Sequence, residues 1–268
     1  MPPLPSVHGC NHGRAHIAVT KQLLLHVKTV MRCALCQEER EIRNSHIIPE
    51  FLYEPLYDEK HRLQLMSIIP SQGNSFKQKG LKEKLLCDAC EQKLSVWEGY
   101  ARKVLKGGVP LTIRTEGTVI LIEGINYRQF KLFQLSVLWR AGVSSQQFFE
   151  YVDLGPHEEI LRKQLVDEEP GSPTRYSCLM FGLKYEGDVV ADLVIQPKRT
   201  KLHGQIAYNF VFGGFLWTFS VSGQELPTDL LATTLNVDGK IAIMVRSVME
   251  MKNLFSFTKE LSKLGRVP

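Results

Sequence analysis

Two short stretches decide the fold of the first part of the chain: Cys33-Ala-Leu-Cys36 and, after forty-eight intervening residues, Leu85-Leu86-Cys87-Asp88-Ala89-Cys90. Each stretch contains a C-x-x-C pair, which brings two sulfur atoms to one side of a tight turn. Four thiolates from two such pairs satisfy tetrahedral zinc, with Zn–S distances of about 2.3 Å. Because four thiolates leave no coordination position for water, we predict a structural zinc ion worth about 10 kcal/mol to its small unit.

Cysteine usage and composition also bear on the cellular compartment. The chain has 268 residues and six cysteines, and it begins with a polar segment that contains several histidines. Disulfide frameworks are typical of short secreted chains with a signal peptide, and neither feature is present here. We therefore expect a cytoplasmic protein. No run of eighteen apolar residues occurs, so a membrane-spanning helix is not expected.

The charge is distributed unevenly along the chain. The formal net charge is +5, and residues 110 to 268 contain seventeen residues of each sign, so the whole surplus lies in the first 109 residues. A local basic excess favours a polyanionic partner. The segment from Lys77 to Lys106 is the most basic, although a solvated helix face would have the same composition. The candidate phosphate contacts in this segment are Lys82, Lys84, Lys93 and Arg102.

Three regions follow from these patterns. Residues 1 to 30 resemble a dispensable, disordered extension; alternatively, Cys10, His12 and His16 form a further metal site, or the acid-free segment is a targeting leader. Residues 31 to 109 form the zinc unit, with a strand from Glu41 to Ile48 and a helix that ends at Gly107. Residues 110 to 268 form a second domain.

The second domain shows mixed periodicity, which predicts an α+β fold with an antiparallel sheet. Its predicted helices are 130–141 and 156–166, and its predicted strands are 178–183, 189–196 and 240–248. The clearest signal is a pair of alternating apolar runs, Ile206 to Phe212 and Phe215 to Val221, joined by Gly213-Gly214. This pattern predicts a β-hairpin with a two-glycine turn and an aromatic core face.

Between the two cysteine pairs lies the segment Asn44-Ser45-His46-Ile47-Ile48-Pro49, whose pattern resembles that of a known protein family. Residues 31 to 106 resemble the HNH endonucleases, whose ββα-metal fold is built on a zinc-binding treble clef in many members. The resemblance implies that His46 is the general base. It also implies that Glu91, which directly follows the last cysteine, binds the catalytic metal ion.

The chemistry of phosphodiester hydrolysis agrees with these residue types. A histidine near neutral pKa accepts a proton from water, and a carboxylate supplies a hard oxygen to magnesium or manganese. Glu98 lies seven residues after Glu91 and thus on the same helix face, so we take it as a third candidate catalytic residue. The alternative is that both glutamates are surface acids paired with cations and that His46 is structural.

Some positions depart from the family pattern. Ser45 stands where the family usually has a metal-binding Asp or His, and Lys82 replaces a frequent asparagine. Asn74 or His61, in the polar insertion, are the candidates to substitute for the missing ligand. An active site further requires the side chains of His46 and Glu91 within reach of one bridging ion, roughly 4 to 7 Å apart.

Two functions are compatible with these residues. The first is a metal-dependent endonuclease of HNH type acting on DNA, which the resemblance places in a bacterial restriction or defence system. The second domain would then supply target choice or a surface for a protein partner, since its balanced charge favours protein contact over polyanion binding. The second is a catalytically degenerate zinc module that binds nucleic acid or protein. A zinc-dependent deaminase is disfavoured because no H-x-E motif precedes a P-C-x-x-C motif.

Overall fold

The computed structural model describes residues 30–60, 62–65, 75–78, 80–190 and 193–250. The α-helices are α1 (Asp88–Lys106), α2 (Tyr127–Val143) and α3 (His157–Asp167). Short 3-10 helices occupy Glu50–Leu52, Glu54–Leu56, Gln147–Phe149, Thr228–Thr233 and Val248–Glu250. The strands are β1 (Val30–Arg32), β2 (Glu39–His46), β3 (Arg62–Leu65), β4 (Ser75–Gln78), β5 (Lys82–Cys87), β6 (Thr112–Glu116), β7 (Val119–Glu123), β8 (Cys178–Tyr185), β9 (Asp188–Val189), β10 (Ile195–Leu202), β11 (Gln205–Phe212), β12 (Phe215–Ser220) and β13 (Ile241–Ser247).

The first unit is a small antiparallel sheet followed by a helix. Its strands lie in the order β1-β2-β5, and α1 begins directly after β5. Helix α1 buries Leu94, Trp97 and Ala101, which are spaced as an amphipathic helix requires. The helix ends at Gly107, whose φ of +85° is readily accessible only to glycine. The predicted helix is therefore confirmed, with its first turn starting at Asp88.

An eight-stranded sheet dominates the second part of the chain. The strand order is β10-β11-β12-β8-β13-β7-β6, with β9 paired to β8. All neighbours are antiparallel except β8 and β13, which run parallel. The predicted α+β class is confirmed, but the sheet is mixed rather than wholly antiparallel. Strands β6 and β7 were not anticipated by the sequence analysis.

The glycine hairpin has the predicted form. Strands β11 and β12 pair from Phe212 opposite Phe215, and Gly213 and Gly214 adopt φ values of +61° and +82°. Phe210 and Trp217 are buried on the face that the alternation indicated. The hairpin and its aromatic core face are therefore confirmed.

The predicted strand from 189 to 196 is wrong. The structure has β9 at Asp188–Val189 and a longer strand, β10, from Ile195 to Leu202. Pro197 is compatible with β10 because this strand lies at the sheet edge, where proline is tolerated. The β10–β11 register shifts between Ile195 and Lys198, next to this proline.

The glycines of two hairpin turns provide a stability prediction. Gly204 has a φ of +79° and open space around an added Cβ, whereas a Cβ on Gly213, at +61°, would lie 2.8 Å from Cδ2 of Leu52. We expect Gly204→Ala to cost about 1 to 2 kcal/mol through backbone strain alone. Gly213→Ala adds about 1 kcal/mol because Leu52 must move. Urea denaturation measures both losses, and equal losses would rule out a tight contact with Leu52.

The two units pack against each other. One cluster of buried apolar side chains includes members of both units, and the rings of Phe51 and Phe133 lie 6.2 Å apart between centroids. The hydroxyl of Tyr100 in α1 accepts a hydrogen bond of 2.6 Å from the backbone N–H of Asn126. The boundary near residue 109 stays a prediction, because the buried cluster crosses it.

Several residues with a predicted role lie outside the part of the chain that the structure describes. Residues 1–29, and with them Cys10, His12 and His16, lie outside the described residues, as do His61 and Asn74. Val30, assigned above to the extension, pairs with Glu41 as the first residue of β1. Among the described helices, none combines the length and the apolar character needed to cross a membrane.

Candidate metal centre and catalytic site

The four predicted zinc ligands converge in space. The sulfur atoms of Cys33, Cys36, Cys87 and Cys90 all lie within 4.8 Å of one another. Cys36 and Cys87 have a sulfur separation of 3.9 Å. Tetrahedral zinc with bonds of about 2.3 Å places its sulfur ligands about 3.8 Å apart. All four cysteines are free thiols, so the cluster has the ligands and the spacing that a structural zinc ion requires.

The local backbone shapes this cluster. The N–H of Gln37 donates to the carbonyl of Cys33 at 2.8 Å, and Gln37 adopts a φ of +63°, which closes the first turn. The second pair lies at the junction of β5 and α1, where the N–H of Cys87 donates to Sγ of Cys33 at 3.3 Å. A helix N-terminus favours negative charge and so favours thiolates. The strand-to-helix junction thus supplies both position and electrostatics.

The sulfur atoms also interact electrostatically. A hydrogen bond from the Cys90 thiol is the largest of the causes that lower the pKa of Cys33 to about 4. The same bond raises the pKa of Cys90, while burial raises that of Cys36. The four sulfurs are therefore close enough to share protons, and metal binding displaces such protons.

His46 lies at the end of β2, where the first sheet meets the second unit. Its Nε2 is 3.6 Å from a carboxylate oxygen of Glu50, and its side chain is 19% exposed. Its backbone carbonyl accepts a hydrogen bond of 2.7 Å from Nη1 of Arg140. The imidazole is thus held at a partly open position next to a carboxylate.

Glu91 lies in the first turn of α1 and faces Ser45, the residue of β2 that precedes His46. The Ser45 hydroxyl accepts a hydrogen bond of 3.1 Å from the N–H of Leu86 and hydrogen-bonds to Glu91. Burial raises the pKa of Glu91, while the Ser45 hydrogen bond and the charge of Arg140 oppose that rise. Oε1 of Glu91 is buried and has no hydrogen-bond partner among the described residues. This atom is therefore an uncompensated acceptor at the start of the helix.

The shared ion of His46 and Glu91 stays a prediction. Successive side chains of a strand project to opposite faces, and the Ser45 side chain faces Glu91. The structure brings His46 to Glu50 and brings Glu91 to Ser45.

Glu98 is engaged by a buried cation. Its Oε1 lies 2.7 Å from Nη1 of Arg140, whose side chain is only 1% exposed. The same guanidinium donates to the carbonyl and to the hydroxyl of Ser136. Glu98 thus has an ion-pair partner within the protein, but the partner is the buried Arg140 rather than Lys84, Lys93 or Arg102, which the surface-acid alternative would pair with it.

The predicted phosphate contacts are also mostly engaged within the chain. Lys84 donates to the carbonyl of Ile42 at 3.0 Å, and Lys93 donates to the carbonyl of Val166 at 2.8 Å. Arg102 pairs with Glu54 at 3.0 Å. Lys82 makes no ion pair with the described residues. DNA binding by these four residues stays a prediction, but three of them hold the fold together.

Two residues that connect the first and second units were not predicted from the sequence. Arg140 joins α2 to His46 and Glu98, and Glu83 accepts hydrogen bonds from the hydroxyls of Ser144 and Ser145 at 2.7 and 2.6 Å. The available signal for Arg140 was a charged residue within a helix predicted to be apolar, since a buried charge requires a partner. Its partners lie far away in sequence and were not visible from local spacing.

The four-cysteine cluster is consequently the firmest chemical feature of the chain, and it indicates metal binding. Glu91 directly follows Cys90 and has one buried carboxylate oxygen, and the buried Arg140 contacts the carbonyl of His46. The chain was compared with models of protein families, with curated proteins and with solved structures. None of the three comparisons finds a match.

Proposed function

We propose that the chain is an HNH-like, metal-dependent endonuclease that cleaves DNA and that its four-thiolate zinc ion is structural. The order of elements supports this proposal, since an antiparallel strand pair, β2 and β5, leads into α1 with the cysteine cluster at the junction. The treble-clef description of the zinc unit, the bacterial restriction or defence setting and the cytoplasmic location belong to the same proposal.

The single observation that carries the proposal is the state of Glu91. A carboxylate oxygen that is buried without a partner is costly, and such groups concentrate at functional sites. A divalent cation would compensate this oxygen, and a carboxylate is a suitable ligand for magnesium or manganese. Ser45, which already hydrogen-bonds to Glu91, fixes the side chain that would bind the ion.

The roles of the chain's own residues follow from their positions. His46 accepts the proton of the attacking water, and the neighbouring Glu50 stabilises the imidazolium that results. Glu91 holds the divalent ion, which when bound stabilises charge on the phosphate and the leaving oxygen. Glu98 supports the site indirectly by holding Arg140, which fixes the carbonyl of His46.

Nicking of supercoiled plasmid with magnesium or manganese tests these roles. We expect His46→Asn and Glu91→Gln each to reduce the rate at least about 100-fold, because each removes a group on which the chemical step depends. His203→Asn, in an exposed turn, and Glu116→Gln, on the exposed strand β6, are matched controls that should nick normally. Zinc content should equal one per chain in all variants. Undiminished nicking by either site variant would reject its assigned role.

The degenerate zinc module remains a second candidate because specific contacts favour it. Glu98 is occupied by Arg140, and the Ser45 hydroxyl is occupied by Leu86 and Glu91, so fewer oxygens remain for a catalytic ion. A protein that binds DNA without nicking it, unchanged by either substitution, supports this candidate. A protein partner of the second unit belongs to either function.

A further inference from the structure

We propose that the edge strand β10 binds the phosphate backbone of duplex DNA through Lys198, Arg199 and Lys201, which we call the β10 cations. The inference rests on the proposed function only for the choice of DNA as the polyanion. It concerns the second unit, whose balanced net charge had suggested protein contact instead.

The β10 cations differ from the candidate phosphate contacts of the first unit in how they are engaged within the protein. Lys84, Lys93 and Arg102 are bound to carbonyls or carboxylates of the protein itself. By contrast, none of the β10 cations lies within 4.0 Å of a carboxylate oxygen in the described part of the chain. All three are exposed. A phosphate contact therefore requires no ion pair of the protein to be broken.

The sequence around β10 also has a local excess of positive charge. The sequence from 193 to 224 contains no Asp or Glu, so the strand and the following hairpin add no opposing charge. Two acidic residues of the neighbouring loop approach the sheet here: Oε1 of Glu150 lies 3.5 Å from Nε2 of Gln196, and the backbone of Asp153 hydrogen-bonds to the hydroxyl of Tyr208, which is paired with Arg199. Polyanion binding depends on such local excess rather than on the net charge of a domain.

The three side chains are also placed along one edge of the sheet. Lys198, Arg199 and Lys201 lie opposite Asn209, Tyr208 and Ile206 of β11, respectively. Arg199 and Lys201 are two residues apart and share one face, while Lys198 projects from the other, so the three cations straddle the sheet edge. From Lys198 to Lys201 the strand advances about 10 Å, and over about 10 Å of helix axis one DNA strand presents about three phosphates.

The position of β10 relative to the first unit also bears on the proposal. The start of β10 lies opposite Val211, close to the Gly213 turn, and that turn contacts Leu52 of the first unit. Leu52 lies six residues after His46. The start of β10 therefore lies near the end of the sheet that meets the zinc unit, and the β10 cations extend from there along the sheet edge, away from the Gly213 turn.

A structural explanation competes with this proposal. Lysines and a proline on an edge strand prevent pairing with another sheet, and β10 carries both. Under that explanation, removing the charges would cause dimers or aggregates and would leave DNA affinity unchanged.

The test uses the full-length, zinc-loaded chain and a fluorescein-labelled 25-base-pair duplex, with no magnesium or manganese added. Fluorescence anisotropy at several salt concentrations gives Kd and its salt dependence. The triple variant Lys198→Gln, Arg199→Gln and Lys201→Gln should weaken binding at least about tenfold and lower the slope of log Kd against log salt by about 2 to 3. A control variant with Lys163→Gln, Lys184→Gln and Arg246→Gln removes the same charge from α3, β8 and β13 and should change Kd less than threefold.

The outcomes separate this inference from the proposed function. Loss of affinity in the β10 variant, with or without nicking by the wild-type chain, supports the DNA-binding edge. An unchanged salt slope, an equal loss in the control variant, or no duplex binding by the wild-type chain overturns it. Light scattering identifies the competing explanation, since new oligomers with unchanged Kd mean that the charges protect an edge. Absence of nicking alone overturns only the enzymatic proposal.

Discussion

Substitution of Cys87 by alanine should abolish zinc binding and unfold the first unit. The cluster supplies about 10 kcal/mol when zinc is bound, which is comparable to the whole stability of a typical domain. Cys87 ends β5, and its side chain is one of the four ligands at the strand-to-helix junction, so the substitution removes a ligand while the backbone N–H can still donate to Sγ of Cys33. We expect zinc content to fall from one per chain to below about 0.1, with exposure of Trp97 visible by fluorescence.

A matched control is available within the chain. Cys178 is a buried free cysteine that lies outside the four-cysteine cluster. Cys178→Ala should cost about 1 to 2 kcal/mol through lost packing and should retain one zinc ion. If Cys87→Ala keeps zinc and melts with the wild-type chain, the cluster is not a structural metal site.

The success of the cysteine prediction has a local physical cause. A C-x-x-C pair constrains two sulfurs within one turn, so spacing alone nearly fixes their geometry. Placing the two pairs together then required only that β2 and β5 lie side by side, which the structure shows. The glycine hairpin was predictable for the same reason, because its turn and its alternation are neighbours in sequence.

The errors arose where distant contacts decide the structure. Strand β10 continues past Pro197 because it lies at an edge of the sheet, and edge position is a property of the whole topology. Strands β6 and β7 are short and exposed or half-buried; β7 pairs with β13, and β6 pairs only with β7 among the described strands. Local periodicity did not reveal that pairing.

Helix α2 shows the same limit most clearly. Its sequence predicts an apolar helix, yet the helix buries Lys131 and Arg140 among its apolar residues. Lys131 donates to the carbonyls of Arg175 and Tyr176, and burial lowers its pKa to about 8. Arg140 reaches His46, ninety-four residues earlier. Such charges are tolerated because distant backbone and carboxylate groups satisfy them.

Removing the buried guanidinium should therefore have a large effect. Arg140→Met leaves the half-buried carboxylate of Glu98 unpaired and the carbonyl of His46 without its donor, for an expected loss of about 3 to 5 kcal/mol. Arg128 lies on the same helix but is 51% exposed, and it pairs with Glu168 at 2.9 Å. Arg128→Met should cost less than about 1 kcal/mol because solvent screens that pair. Chemical denaturation of the zinc-loaded chain measures both.

The pairing itself is tested by a double-mutant cycle with Glu98→Gln. If Arg140 and Glu98 stabilise each other, the double variant loses less than the sum of the single variants, by about 1 to 3 kcal/mol. Additive losses would mean that Arg140 acts only through Ser136 and the carbonyl of His46. A loss for Arg140→Met no greater than that for Arg128→Met would show that α2 does not hold the end of β2. In that case the position of His46 would not depend on Arg140, and the hydrogen bonds from Ser144 and Ser145 to Glu83 would be the remaining polar contacts described above between α2's C-terminal end and the first sheet.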